Sequence, residues 1–180
     1  RRAALLLLAA LTVAGAQAHP AAMKPPTTLF DPIARVVMHP RCVNCHQADA
    51  PRQTDLGTRH TQGVVRGKDG HGEVGQTCVA CHQTSNSANG QVPGVQHWHL
   101  APATKSWHGM NAGDIYRRMK DPARNGNRRT GAQVIDHMAT DPLVLWAWAP
   151  GTGRSQPPVS HADFLAGLRA WADQGMPCPL

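Results

Sequence analysis

Apolar residues in this chain recur at helical spacing in short bursts, each bounded by a capping residue or a proline. Ile33, Val36 and Val37 share one face after Asp31-Pro32, a pair that reads as an N-cap with proline at the first helical position; Pro40 reads as the end of that helix. Asn111 with Asp114 three residues on predicts a helix through Lys120, with Ile115, Tyr116 and Met119 inward and Pro122 as its stop. Thr130 opens a helix carrying Val134, Ile135, His137 and Met138, and Asp141-Pro142 repeats the cap-then-proline device before Leu143 to Trp148. Ser160 with Asp163 opens the last helix. Its stripe of Phe164, Leu165, Leu168 and Trp171 ends near Gly175 and is expected to pack on the first helix. No segment alternates convincingly with period two, so no strand is predicted. Gln47 to Gln76 is polar and glycine-rich, and 66–72 (Arg-Gly-Lys-Asp-Gly-His-Gly) reads as a loop. The expected fold class is mainly α, short helices joined by long loops.

Composition changes that picture in one respect, because the core looks underfilled. Two Phe, one Tyr and five Trp stand against fifteen Pro and seventeen Gly. Something other than side-chain packing must hold the loops, as disulfides or metals do in other small domains. At the N-terminus, Arg1 and Arg2 precede an apolar run from Ala3 to Ala14, too short to span a bilayer, and Ala16-Gln17-Ala18 has small residues where signal peptidase reads. Residues 1–18 are therefore expected to be a cleaved signal peptide, residues 19–180 one domain, and the location periplasmic, with no integral membrane segment. Loss of Arg1 and Arg2 lowers the formal charge of +7 by two. The remaining basic residues are scattered, without the basic stripe and interleaved aromatics of a nucleic-acid surface. Two small groups, one at Arg117, Arg118 and Lys120 and one at Arg124, Arg128 and Arg129, suit either a solvated surface or an acidic protein partner.

Four of the five cysteines fall into two C-x-x-C-H pentapeptides, Cys42-Val43-Asn44-Cys45-His46 and Cys78-Val79-Ala80-Cys81-His82, 36 positions apart. Two thiols on one helical turn can add to the two vinyl groups of a haem, and the next residue, His, is placed to ligate the iron. A zinc ribbon also pairs C-x-x-C units, but at spacings of about 15 to 20 residues and without His after both. A thioredoxin-like redox pair would need a βαβ context that is missing here. The expectation is two covalent haems c, held by Cys42, Cys45 and His46 and by Cys78, Cys81 and His82, whose propionates offset part of the basic charge and whose rings complete the core. Cys178, in Met176-Pro177-Cys178-Pro179, is left over and is expected to be a free thiol.

Each haem iron then needs a second axial ligand. His39 is too close to Cys42 to reach over its own haem, though it can reach the other one, and His71 sits among glycines where ordering it is costly. His60 lies fourteen residues after His46 on a loop that can extend to about 45 Å, so it can fold over the first haem or reach the second. His137 shares a helical face with Val134 and Met138, which points it inward. His60 and His137 are the expected distal ligands, with His161, Met138 and Met110 as alternates. A core His bonded to a backbone carbonyl is the competing reading for each.

The order of helix, C-x-x-C-H and closing amphipathic helix ending in Trp-x-x-x-Gly resembles class I cytochrome c domains at the two ends of the chain. A longer likeness is to small dihaem periplasmic proteins that carry the name of an isoquinoline 1-oxidoreductase subunit. It rests on His39-Pro40-Arg41-Cys42, on 66–70, on Trp98-His99-Leu100-Ala101-Pro102, on 121–126 (Asp-Pro-Ala-Arg-Asn-Gly), on 137–141, on 143–151 and on His161-Ala162-Asp163-Phe164. The resemblance implies a dihaem cytochrome that passes electrons between redox protein partners, a molybdenum hydroxylase or a terminal electron acceptor among them. The chain has no molybdopterin or iron–sulfur signature of its own. The alternative is an enzyme, a dihaem peroxidase with one open haem site; known ones are about twice this length with motifs farther apart.

Overall fold

The computed structural model describes residues 28–179, and the expected leader lies outside them. Helix α1 (Phe30–Val37) buries Phe30, Ile33, Ala34, Val36 and Val37 on one face. It begins earlier than the Asp31-Pro32 pair suggests. Leu29 is the N-cap, and Asp31 sits in the first turn, where its carboxylate accepts the Thr28 N–H at 2.8 Å. Packing explains the extra residue: Phe30 is fully buried, 5.2 Å from Trp171 and 5.6 Å from Tyr116 between ring centroids. Pro40 does not merely end α1. It opens α2 (Pro40–Val43), where a proline with no N–H to satisfy is well tolerated.

The later helices start where their caps predict. Asn111 accepts the Asp114 N–H at the head of α4 (Ala112–Lys120), and Thr130 and Gln133 form a reciprocal capping box on α5 (Gly131–Thr140). Asp141 caps α6 (Pro142–Trp146), and Ser160 caps α7 (His161–Asp173). With α3 (Cys78–Cys81), these are the α-helices of the described residues. Helix α7 packs against α1 and α5, and α4 packs against α1. Their shared core holds Phe30, Ile33, Val36, Ile115, Met119, Val134, Met138, Phe164, Leu168 and Trp171.

Between α2 and α4 the chain is mostly loop, as expected, with two short hairpins that the sequence reading missed. β1 (Arg52–Gln53) pairs with β2 (Thr58–Arg59), and β3 (Gly72–Glu73) with β4 (Gln76–Thr77). Two-residue strands are too short to show an alternating pattern. Two buried arginines tie the loops down, Arg66 to one another and Arg41 to the helices. The Arg66 guanidinium donates to the carbonyls of Gln47, at 2.8 Å, and Ala101, and Arg41 pairs with Asp55 while lying over the Trp146 ring. At Gly67, with φ +68°, a Cβ would stand 2.1 Å from the Gly72 carbonyl oxygen, so the 66–72 turn needs glycine there. Among the described residues no helix is long and apolar enough to cross a membrane.

Candidate functional site

The first C-x-x-C-H motif starts at the end of α2 and continues as a turn closed by the His46 N–H on the Cys42 carbonyl at 3.1 Å, the second has its cysteines in α3, and each leads into a histidine whose ring is fixed in the same way. His46 Nδ1 lies 2.8 Å from the Lys105 carbonyl oxygen, and His82 Nδ1 lies 2.8 Å from the Pro93 carbonyl oxygen. A carbonyl can only accept, so Nδ1 carries the proton in both rings and Nε2 keeps its lone pair. Each imidazole also stacks on a tryptophan: His46 on Trp107 at 3.5 Å and 8° between planes, His82 on Trp98 at 4.5 Å and 3°. Two unrelated loops have thus produced the same device. A metal-binding imidazole is normally held like this, by a bond from its other nitrogen.

The acceptors come from backbone that the helices and glycines put in place. The 3-10 turn Ala103–Lys105 and the Trp107 N–H bond to the His46 carbonyl, at 2.9 Å, set the Lys105 carbonyl beside the ring. At the other motif Gly94 lets residues 93–95 lie against 83–85, since a Cβ there would stand 2.2 Å from the Ser85 carbonyl oxygen. Asn86 fastens this segment, accepting from the Gly94 N–H at 3.0 Å and from Trp146 Nε1 at 2.8 Å. Trp98, Trp107, Gly94 and Asn86 were not singled out from the sequence. Trp98 lies 16 residues from His82 and Trp107 lies 61 from His46, so no local signal marked the stacking.

The structure brings His60 to the second motif and His137 to the first. The His60 ring centroid lies 6.1 Å from that of His82. Two imidazoles bound on opposite sides of one metal, with bonds of about 2 Å, would place their centroids about 6 Å apart. Nδ1 of His60 is buried and has no hydrogen-bond partner, a costly state for an imidazole nitrogen that nothing ligates. His137 lines a crevice together with His46, Trp107, Met119, Val134 and Met138. Its Nδ1 lies 3.2 Å from Asp141 Oδ2, so Nε2 is again the free nitrogen. Asp141, expected only as a cap, also orients this ring; the i,i+4 spacing was the available signal. Lys105, Arg118, Arg124 and Arg128 line the same crevice.

The alternates are placed differently. His161 Nε2 donates to the Met138 carbonyl at 2.8 Å, with the ring tilted against Trp148, which is the carbonyl-bonded core arrangement. Met138 lines the first crevice, while Met110 packs against the edge of the core. His39 caps α2, accepting the Arg41 N–H, and also contacts Ser155 Oγ at 3.2 Å. Cys178 is exposed and free.

Electrostatics favour neutral imidazoles and protonated thiols. Burial pushes His46 down to about 3, and it also lowers His60, His82 and His137, so all four rings are uncharged at neutral pH, the form that ligates metals. Burial raises the Cys42 thiol to about 12 and the Cys45 thiol to about 11. Neither is an activated thiolate nucleophile. Among the described residues no group of three or more His, Cys, Asp and Glu is arranged to hold a metal ion by itself.

The first crevice thus combines two imidazoles, apolar walls and four cations, and the second motif brings two imidazoles together beside its pair of thiols. Comparisons with family models, with curated proteins and with solved structures found nothing that matches this chain.

Proposed function

We propose that this chain is a periplasmic dihaem c-type cytochrome that transfers electrons between redox protein partners. One observation carries the reading. Each C-x-x-C-H imidazole is locked by a carbonyl and a tryptophan with Nε2 free, and a second neutral imidazole is brought to each motif. Such a pair is too few ligands for a bare ion but enough for an iron that arrives with four ring nitrogens.

In this reading Cys42 and Cys45 would hold the first haem, and His46 and His137 would ligate its iron. Cys78 and Cys81 would hold the second, ligated by His82 and His60. Haem with two strong axial ligands supplies a one-electron couple and no open position for peroxide. The chain's own residues do the rest. The Lys105 and Pro93 carbonyls and Asp141 hold the tautomers, Trp107 and Trp98 fix ring planes, and Met119, Val134 and Met138 exclude water from the first site. Lys105, Arg118, Arg124 and Arg128 would neutralise propionates. On the resemblance to the isoquinoline 1-oxidoreductase group, a molybdenum hydroxylase is the proposed donor.

The test is production through a haem-ligating maturation pathway, followed by intact mass and electron paramagnetic resonance of the oxidised protein. Two haems surviving acid denaturation and two low-spin signals are expected. A haem-free mass, or one with bound zinc, would sink the reading. A high-spin fraction that binds cyanide and turns over peroxide would favour the peroxidase instead.

A further inference from the structure

The two motifs sit in different surroundings. His46 is followed into the helical core by Trp107, Met119, Val134 and Met138, all buried. The second motif has no residue in that core. Val79, inside it, is 53% exposed, Val74 in the hairpin turn just before it is fully exposed, and Val92, next to the Pro93 that holds His82, is 37% exposed. Solvent-facing valines at these three places need a reason in a chain so short of core residues.

Charge separates the motifs further. From Val74 to Thr104 there is no Asp, Glu, Lys or Arg, where a chain with 16% charged residues would carry about five. The charges at the margin are Glu73, Arg154, and Asp69 and Arg66 beside Cys78; the Arg66 guanidinium is committed to the carbonyls of Gln47 and Ala101, and that of Arg154 to those of Gly90, at 2.6 Å, Gln91 and Pro150. The first site, by contrast, is lined by four cations. Transient interfaces have a core depleted of charge, and a charge-free, partly apolar face suits repeated docking and release better than a fixed ion-pair pattern does.

We infer that the second motif is where electrons enter and leave, through the exposed stretch of chain that carries Val74, Val79 and Val92 and receives a redox protein whose own docking face is uncharged, while the first site is internal. This rests on the dihaem reading. It replaces the basic groups near Arg117 and Arg128 as the place where the partner binds.

Ferricyanide serves as the probe: it takes one electron and becomes ferrocyanide as one ferrous iron becomes ferric, and no proton moves. Reduced holoprotein is mixed with it by stopped flow at about 10 mM salt. One new charge about 10 Å from this trivalent anion should change the second-order rate about fivefold. Val79→Glu is expected to slow the reaction by that factor and Val79→Lys to speed it, while Arg117→Glu, two charges changed away from the motif, slows it by less than about twofold. Val74→Glu, outside the motif, should slow it in the same direction. As a readout independent of electron exchange, a neutral gadolinium chelate should broaden the amide resonances of 74–82 and 92–94 in the reduced protein far more than those of His46 and Trp107. A mass without haem sinks the dihaem reading and this inference with it. Two attached haems with rates indifferent to Val79 and Val74 but slowed by Arg117→Glu would overturn the inference alone.

Discussion

Replacing Asp141 by Asn tests the first site with one atom's change. The carboxylate has two jobs: Oδ1 accepts the Leu143 N–H at 2.9 Å to cap α6, and Oδ2 accepts from His137 Nδ1 at 3.2 Å. That second bond is the main reason the Asp141 carboxyl is held down at about 2. Asn caps helices about as well as Asp, so its oxygen would stay on Leu143 and its amide NH2 would turn to His137. A donor now faces Nδ1, and the imidazole relieves the clash by moving its proton to Nε2, the nitrogen proposed to bind iron. A charge-assisted bond of about 1.5 to 3 kcal/mol is lost, and the wrong tautomer is favoured, which corresponds to about 10- to 100-fold weaker hold on the metal. The assay is cyanide titration of the oxidised holoprotein with parallel resonance spectra. One haem should bind cyanide at least tenfold more tightly than in the parent, and that haem's low-spin signal should weaken, while unfolding free energy falls by no more than the about 1.5 to 3 kcal/mol of the lost bond because the cap persists. Unchanged cyanide affinity and two unchanged low-spin signals would refute the tautomer argument.

Three further outcomes are expected. His60→Ala should turn only the second haem high spin, with both thioether attachments intact by mass; two low-spin haems with unchanged potentials would remove His60 from the site. Gly94→Ala should push the Pro93 carbonyl from His82, since the new Cβ meets carbonyl oxygens of Ser85 at 2.2 Å and Gln83 at 2.6 Å, and should alter the second haem's spectrum while the first stays as it was. Asp55 is held below the usual carboxylate range by the Ser155 N–H first and Arg41 beside it, so its contribution is present above the unfolded value near about 4 and is lost as pH falls through the folded one. Urea unfolding should show Asp55→Asn less stable than the parent at pH 6 and the gap closing toward pH 2.

What was readable in advance was whatever depends on neighbours in sequence. The caps at Asn111, Thr130, Asp141 and Ser160 and the apolar stripe through Phe164, Leu168 and Trp171 follow local rules, and the structure has them. The start of α1 was misplaced because Phe30 is drawn into the helix by Trp171, a contact across the whole chain. The mainly helical class was legible, the two hairpins were not. At the candidate site the motif residues were plain from spacing, and inward-facing periodicity singled out His137. The partners of the rings were hidden, because the Lys105 and Pro93 carbonyls carry no side-chain signal and Trp107 lies in a different element from His46. His60 came from loop reach alone, which left both motifs open to it; the structure brings it to His82.

The clasp of α1 by α7 also sets an order in time. Phe30, Ile33 and Val36 find their partners in α4 and then in α7, Tyr116 and Trp171 among them, long after the first motif has been made, and the set is complete only with α7, whereas each cysteine pair needs nothing beyond its own turn of chain. A chain still emerging from its N-terminus therefore displays both thiol pairs before any core can close over them, and His137 arrives last at the first site. Closure of non-local contacts of this kind is slow compared with forming a helical turn. The interval between the two leaves the thiols open to chemistry on an unfolded chain, and the final helix ends it.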